Sequence, residues 1–169
     1  MSEVKNCTVC QRPKATLSCG NCRVALCKSC EHFVEPNHFS FWSPIPKPLT
    51  YTHYCPSCFD ENVAPKLAQY NAILEKAKQL YIFFDTQKRP HCLMHYSRKP
   101  VSVKNCTDRD ETILRIGFLA AEQGYNAAVD VSIVSKKMRH HAWEKLSWQG
   151  DAVPAQVDER KLQRESFNQ

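Results

Sequence analysis

Beyond residue 60 the apolar positions of the chain follow two different rhythms. Leu67, Tyr70, Leu74, Ala77 and Tyr81 recur at intervals of three and four, which predicts a helix with one apolar face and Pro65 in its first turn. This helix, over residues 61–78, reads as a linker that joins two units and packs on the second. Leu80-Tyr-Ile-Phe-Phe84 is an uninterrupted apolar run and predicts a buried strand, and Lys99 to Lys104, where Val101 and Val103 alternate, predicts another. Asp108 with Glu111 has the form of a capping box, Ile113, Ile116 and Ala120 share a stripe, and Gly124 stands where a C-terminal cap belongs. Ala127, Val129, Val131 and Ile133 then alternate with Asp130 and Ser132, the mark of a half-buried strand. Residues 142–149 read as its partner, across a turn holding the basic Lys136-Lys-Met-Arg-His-His141, with Trp143 and Trp148 packing the core. The fold class expected is α+β: residues 79–153 form a compact unit of β-β-α-β-β order, and 154–169 form a charged tail.

The first sixty residues show neither rhythm, and cysteine takes its place. Eight of the ten cysteines fall in Cys-x-x-Cys pairs: Cys7/Cys10, Cys19/Cys22, Cys27/Cys30 and Cys55/Cys58. The longest gap between pairs, residues 31–54, holds Pro36, Pro44, Pro46 and Pro48, which exclude a helix and demote any strand to an edge. Its aromatics (Phe33, Phe39, Phe41, Trp42, Tyr51, Tyr54) are too many for a disordered linker and predict an ordered loop whose rings cover the metal centre. Phe39, Phe41 and Trp42 are either that small core or an exposed binding patch. The polar N-terminus is no signal peptide, and no apolar run approaches the roughly 18 to 20 residues that span a bilayer. A cytoplasmic, reducing location follows as an expectation, and there paired cysteines point to metal rather than disulfide.

Structural zinc takes four ligands in a tetrahedron and leaves no open position, and a Cys-x-x-Cys turn aims two sulfurs at one ion. The gaps between successive pairs are 8, 4 and 24 residues. Four residues are too few for a comfortable hairpin between pairs sharing one ion, but suffice to carry the chain from one ion to the next. A cross-brace is expected: Cys7, Cys10, Cys27 and Cys30 on a first zinc, and Cys19, Cys22, Cys55 and Cys58 on a second, with sequential pairing as the alternative. So small a segment buries little core, so metal binding supplies its folding energy. Zinc also changes the charge. The formal +6 counts every Cys as neutral, whereas each tetrathiolate site adds −2, which leaves +2 for the chain. Residues 1–60, with six Lys/Arg and four Asp/Glu, come to −2 once both sites are counted. The basic footprint suggested by the isoelectric point is correspondingly weaker.

Ser18-Cys-Gly-Asn-Cys-Arg-Val-Ala-Leu-Cys-Lys-Ser-Cys30 and Tyr54-Cys-Pro-Ser-Cys-Phe59 resemble the second-to-fourth cysteine pairs of FYVE zinc fingers, over residues of about 5–60. The all-Cys ligand set separates the segment from RING and PHD fingers, which usually include a His. The resemblance implies a cross-brace with two zinc ions. The family's phosphatidylinositol 3-phosphate motif, basic and with two His, stands just before the third cysteine, where this chain has Ala15-Thr-Leu-Ser18. The Trp-x-x-Asp stretch before the first pair is also absent. An altered lipid site would have to use Arg12, Lys14 and Arg23. Residues 109–135, through Ala120-Ala-Glu-Gln-Gly-Tyr-Asn-Ala-Ala-Val-Asp-Val-Ser132, are similar to the helix-to-strand turn of YbjQ-type domains, which implies a sheet edge able to build a homo-oligomer.

Two further groups carry chemistry. His91, Cys92, His95 and Cys106 have the residue types of a third metal site at irregular spacing, and read chiefly as loop or core. His140 and His141 beside Lys136, Lys137 and Arg139 read as a solvated turn that can meet phosphate. No nucleophile–base pair, paired carboxylates or phosphate-binding glycine loop is discernible, and four glycines leave little room for a nucleotide loop. The expectation is a non-catalytic zinc-binding adaptor that contacts a protein partner. The alternatives are a phosphoinositide or membrane-surface adaptor and a nucleic-acid-binding protein using the 136–141 segment; ubiquitin-ligase activity is more distant.

Overall fold

The computed structural model describes residues 5–13, 15–140 and 143–166, and of His140, Trp143, Glu165 and Ser166 the backbone alone. The chain divides into two compact units, Met1–Asn71 and Ala72–Gln169. It is an α+β protein.

In the first unit the regular elements are short because the cysteine turns interrupt them. β1 (Leu17–Ser18) pairs antiparallel with β2 (Ala25–Leu26), and β3 (His32–Phe33) with β4 (His53–Tyr54). The proline-rich loop between β3 and β4 is ordered from within. The Tyr54 hydroxyl donates to the Pro48 carbonyl at 2.8 Å, and a 3-10 turn over Lys47–Leu49 buries Leu49. Phe39 stacks on Trp42 with centroids 5.6 Å apart, and both present to the Tyr70 ring edge-on, at 5.3 and 5.1 Å. Of the three rings expected to form either a small core or a binding patch, Phe39 is buried together with Tyr70, while Phe41 and Trp42 are half-buried. Cys55 opens a continuous helical run of α1 (Pro56–Cys58), a π turn (Phe59–Val63) and α2 (Ala64–Lys78). The expected helix therefore forms, but it does not serve the second unit alone. Tyr70 belongs to the aromatic core of the first unit, and Ala77 lies against Gly117 in the second.

The second unit is a five-stranded sheet organised on one long strand. β5 (Tyr81–Phe84) runs parallel to β8 (Ala127–His140), which is antiparallel to β9 (Trp143–Val157). The other edge of β9 is shared end to end by β7 (Val101–Cys106) and β6 (Leu93–Tyr96). Pro154 sits in this central strand because its nitrogen faces the junction of β6 and β7, where no ladder bond is required, and its carbonyl accepts from Ser97 N–H at 2.7 Å. Two bulges curl the sheet, at Asn105 (φ 59°) in β7 and Asp130 (φ 52°) in β8, each opposite a register shift on β9. α3 (Arg109–Glu122) covers one face, its Ile116 packed with Ala128, Val131 and Ala152 of the sheet. Leu162 of α4 (Glu159–Ser166) packs on the other, over Ala127, Val129, Ala155 and Val157.

α3 begins as its sequence demands. Asp108 Oδ1 accepts from Glu111 N–H at 2.7 Å, and Glu111 Oε2 reaches back to Thr107 N–H at 2.7 Å. Gly124, at φ 84°, follows the helix end in the left-handed conformation a cap requires.

Three expectations need correction. Lys136 to His140 are strand, not turn: β8 runs through them, paired residue by residue with β9. His141 and the side chains of His140 and Trp143 lie outside the described residues, while Trp148 packs on the core as expected. Residues 154–157 continue β9, and α4 follows, so the described part of the expected tail, through Ser166, is largely strand and helix. A strand not foreseen, β6, lies between the two that were expected before α3.

Candidate metal centres

Each Cys-x-x-Cys pair is shaped by its own backbone. After Cys10 and after Cys22 the chain enters the left-handed region, at Gln11 (φ 59°) and Arg23 (φ 67°). These residues return their N–H groups to the carbonyls of Cys7 and Cys19 at 2.8 and 2.9 Å. Cys27/Cys30 closes with Cys30 N–H on the Cys27 carbonyl at 3.0 Å. Cys55/Cys58 is a helix start, in which the Cys55 sulfur accepts from Cys58 N–H at 3.5 Å.

The structure gathers these pairs into two sets of four. Cys7, Cys10, Cys27 and Cys30 form one, and Cys19, Cys22, Cys55 and Cys58 the other, with the sulfurs of each set all within 4.8 Å of one another. First pair joins third and second joins fourth, which is the interleaved arrangement. The donor chemistry fits a tetrahedral thiophilic ion. Four sulfurs about 2.3 Å from a central zinc stand about 3.8 Å apart along each edge of the tetrahedron. The Cys10–Cys27 and Cys22–Cys55 sulfurs, each from a different pair of one set, are 3.7 Å apart. None of the ten cysteines is joined in a disulfide.

Protonation points the same way. Backbone N–H groups, first that of Cys10 and then those of Cys27 and Val9, draw the Cys7 thiol down to about 6. Burial opposes ionisation at Cys19, but the N–H groups of Cys22, Cys55 and Asn21 outweigh it and again bring the thiol to about 6. Three other thiols move the opposite way. Cys30 is pushed up to about 12 by the neighbouring Cys10 and Cys27 sulfurs, and Cys58 to about 12 chiefly by burial, with Cys55 also raised by burial. Each set thus favours one thiolate and resists the next. A divalent cation resolves that conflict by holding all four sulfurs as thiolates and releasing their protons.

Several supporting contacts carry no sequence signal. Asn21 Nδ2 donates to the Cys58 sulfur at 3.5 Å, and Gly20 N–H donates to the His53 carbonyl at 2.8 Å. Glu31, directly after Cys30, pairs with His53 Nδ1 at 2.5 Å, and His32 stacks on Phe59 at 4.4 Å. These tie the loop after the third pair to the approach of the fourth.

The other candidates separate. Cys92 and Cys106 are buried in cores on opposite faces of the sheet, His91 is exposed and His95 stands edge-on to Tyr125, so no third site assembles from them. Of the three cations considered for lipid, Arg12 is exposed past the first knuckle, Arg23 lies over the Tyr51 ring past the second, and Lys14 lies outside the described residues. Among the described residues, no helix is long and apolar enough to cross a membrane.

No protein-family profile matches the chain, and neither the curated proteins nor the solved structures contain a significant match. The two cysteine sets, each able to hold a metal ion, are therefore the firmest functional assignment that chemistry alone supports.

Proposed function

We propose that the first unit is a non-catalytic, FYVE-like cross-brace finger holding two structural zinc ions, and that it presents a surface to a protein partner. The observation that carries this reading is the closure of both sets by four thiolates at tetrahedral spacing, which leaves no coordination position for water or substrate. Hard cations prefer oxygen donors, and an all-sulfur tetrahedral set suits zinc. The surface supports contact rather than chemistry: Phe33 is 57% exposed and Val9, inside the first knuckle, 48%. Lipid recognition is the weaker reading, because Arg12 and Arg23 follow different knuckles and Ala15-Thr-Leu-Ser18, directly before Cys19, carries no cation.

Elemental analysis of freshly purified protein tests the proposal, with two zinc ions expected per chain. Cobalt substitution should give the intense thiolate-to-metal absorption of tetrahedral tetrathiolate sites. Fewer than two metals per chain, or a cobalt spectrum showing bound water, would overturn it.

A further inference from the structure

The β8–β9 hairpin outruns the sheet that supports it. β5 accompanies β8 only through the pair Phe84–Val131, and β7 accompanies β9 only to the pair Cys106–Trp148. From Lys136–Ser147 to His140–Trp143 the two strands pair with each other alone among the described residues. Five successive pairs at about 3.4 Å each give a free ribbon roughly 17 Å long.

This ribbon concentrates charge. Lys136, Lys137, Arg139 and Lys145 stand against the single carboxylate of Glu144, a net +3 within a chain whose total is +2 once both metal sites are counted. Paired residues in an antiparallel ladder share a face, and faces alternate along the strand. One face therefore carries Lys136 and Lys145, and the other carries Lys137 and the Arg139–Glu144 ion pair. The exposed apolar residues are divided likewise: Val134 (47%) and Met138 (45%) lie on the first face, Leu146 (47%) on the second.

We propose that this ribbon binds B-form DNA, lying in the major groove with its cations on the flanking phosphates. A major groove about 12 Å wide and 8.5 Å deep admits a two-stranded ribbon, whereas the deep, narrow groove of an RNA duplex does not. Cations on both faces suit a groove walled by phosphate on both sides. A bilayer surface would want cations and apolar groups segregated to opposite faces, which this ribbon does not offer. Pairing between copies is opposed by lysines along both strands. The inference concerns the second unit and does not rest on the zinc reading.

The test uses the full metal-loaded chain and a labelled 20-base-pair DNA duplex, followed by fluorescence anisotropy across a salt series. Contacts to three or four phosphates predict that log K falls against log salt with a slope of about −3. The variant K136Q/K137Q/K145Q should bind at least about a hundredfold more weakly at 50 mM salt, with a slope shallower than about −1. K136R/K137R/K145R should bind within a few-fold of the parent. Metal content reports the first unit independently, so loss of metal and loss of DNA binding are separate outcomes. The proposal is overturned if the parent does not bind at 50 mM salt, if its slope is shallower than −1, or if the glutamine variant binds equally. It is also overturned if an RNA duplex or anionic phosphatidylserine vesicles bind more tightly than the DNA, or if the ribbon variant changes only the oligomeric state.

Discussion

Replacing Gly20 by Ala should loosen the second metal set selectively. Gly20 lies between Cys19 and Cys22, and a Cβ there would stand 2.3 Å from both Cβ and Cγ of Tyr51 and 2.8 Å from Cδ1. Ordinary contact begins near 3.4 Å, so the overlap exceeds 1 Å. No rotamer change removes it, because Cβ is fixed to the Tyr51 backbone. That backbone is held in turn: Tyr51 N–H donates to the Tyr54 hydroxyl at 3.2 Å, and Gly20 N–H holds the His53 carbonyl two residues before Cys55. Relief must come from separating the Cys19/Cys22 turn from the approach to Cys55/Cys58. Overpacking of a rigid site costs about 1–3 kcal/mol, and a backbone-bound clash belongs at the upper end. About 3 kcal/mol corresponds to roughly a hundredfold in the binding equilibrium. Competition with a chromogenic chelator should show one metal per chain released about a hundredfold more readily in G20A, with the other less affected. G20A/Y51A should stay impaired, since alanine retains the offending Cβ. Release from G20A with the parental affinity at both sites would refute the reasoning.

The remaining predictions concern the second unit. Burial works against the Glu111 carboxylate, but the Thr107 hydroxyl and N–H and the Arg115 guanidinium outweigh it and hold its pKa below the ordinary value. It therefore adds stability that is present above about pH 4.3 and lost as pH falls through the folded pKa. Glu111→Gln should lower stability at pH 7 by about 1 kcal/mol and flatten the acid limb of a melting-temperature profile; an unchanged limb would refute the assignment. The Asn126 carboxamide donates to the Val157 carbonyl at 3.0 Å and accepts from its N–H at 2.9 Å, so Asn126→Ala orphans two backbone groups at the strand end. A loss of about 2 kcal/mol, or about 10 °C in melting temperature, is expected by calorimetry. Gly150→Ala would place a Cβ 2.9 Å from Thr112 Cγ2 and 3.0 Å from Ile116 Cδ1, under α3, and should cost about 1–3 kcal/mol in chemical denaturation.

What the sequence discloses here is what is encoded locally. The cysteine pairs and the cap residues Asp108, Glu111 and Gly124 act within a few residues of themselves, and their positions in the structure follow from spacing. Leu93–Tyr96 has no alternation and lies between prolines; it is a strand only because β9 offers it an edge. Pro154 reads as a terminator, yet it is carried inside β9 by a gap between two other strands. Lys136 to Arg139 look like a turn because charge mimics one, and only pairing across to residues 144–147 makes them strand. Asn21, Glu31 and His53 support the metal sets through contacts between segments far apart in sequence, so their residue types give no sign of it.

The interleaving of the two sets has a consequence for the order in which they fill. The first set is complete once Cys30 has been synthesised, whereas the second waits for Cys58, about 28 residues later, or roughly 1 to 6 seconds at ordinary rates of translation. During that interval Cys19 and Cys22 lie inside the loop that the first ion closes. Half of the second site is therefore assembled before its other half exists. Ions captured during synthesis would therefore load in one direction, the first set before the second, with the long proline-rich segment setting the delay between them.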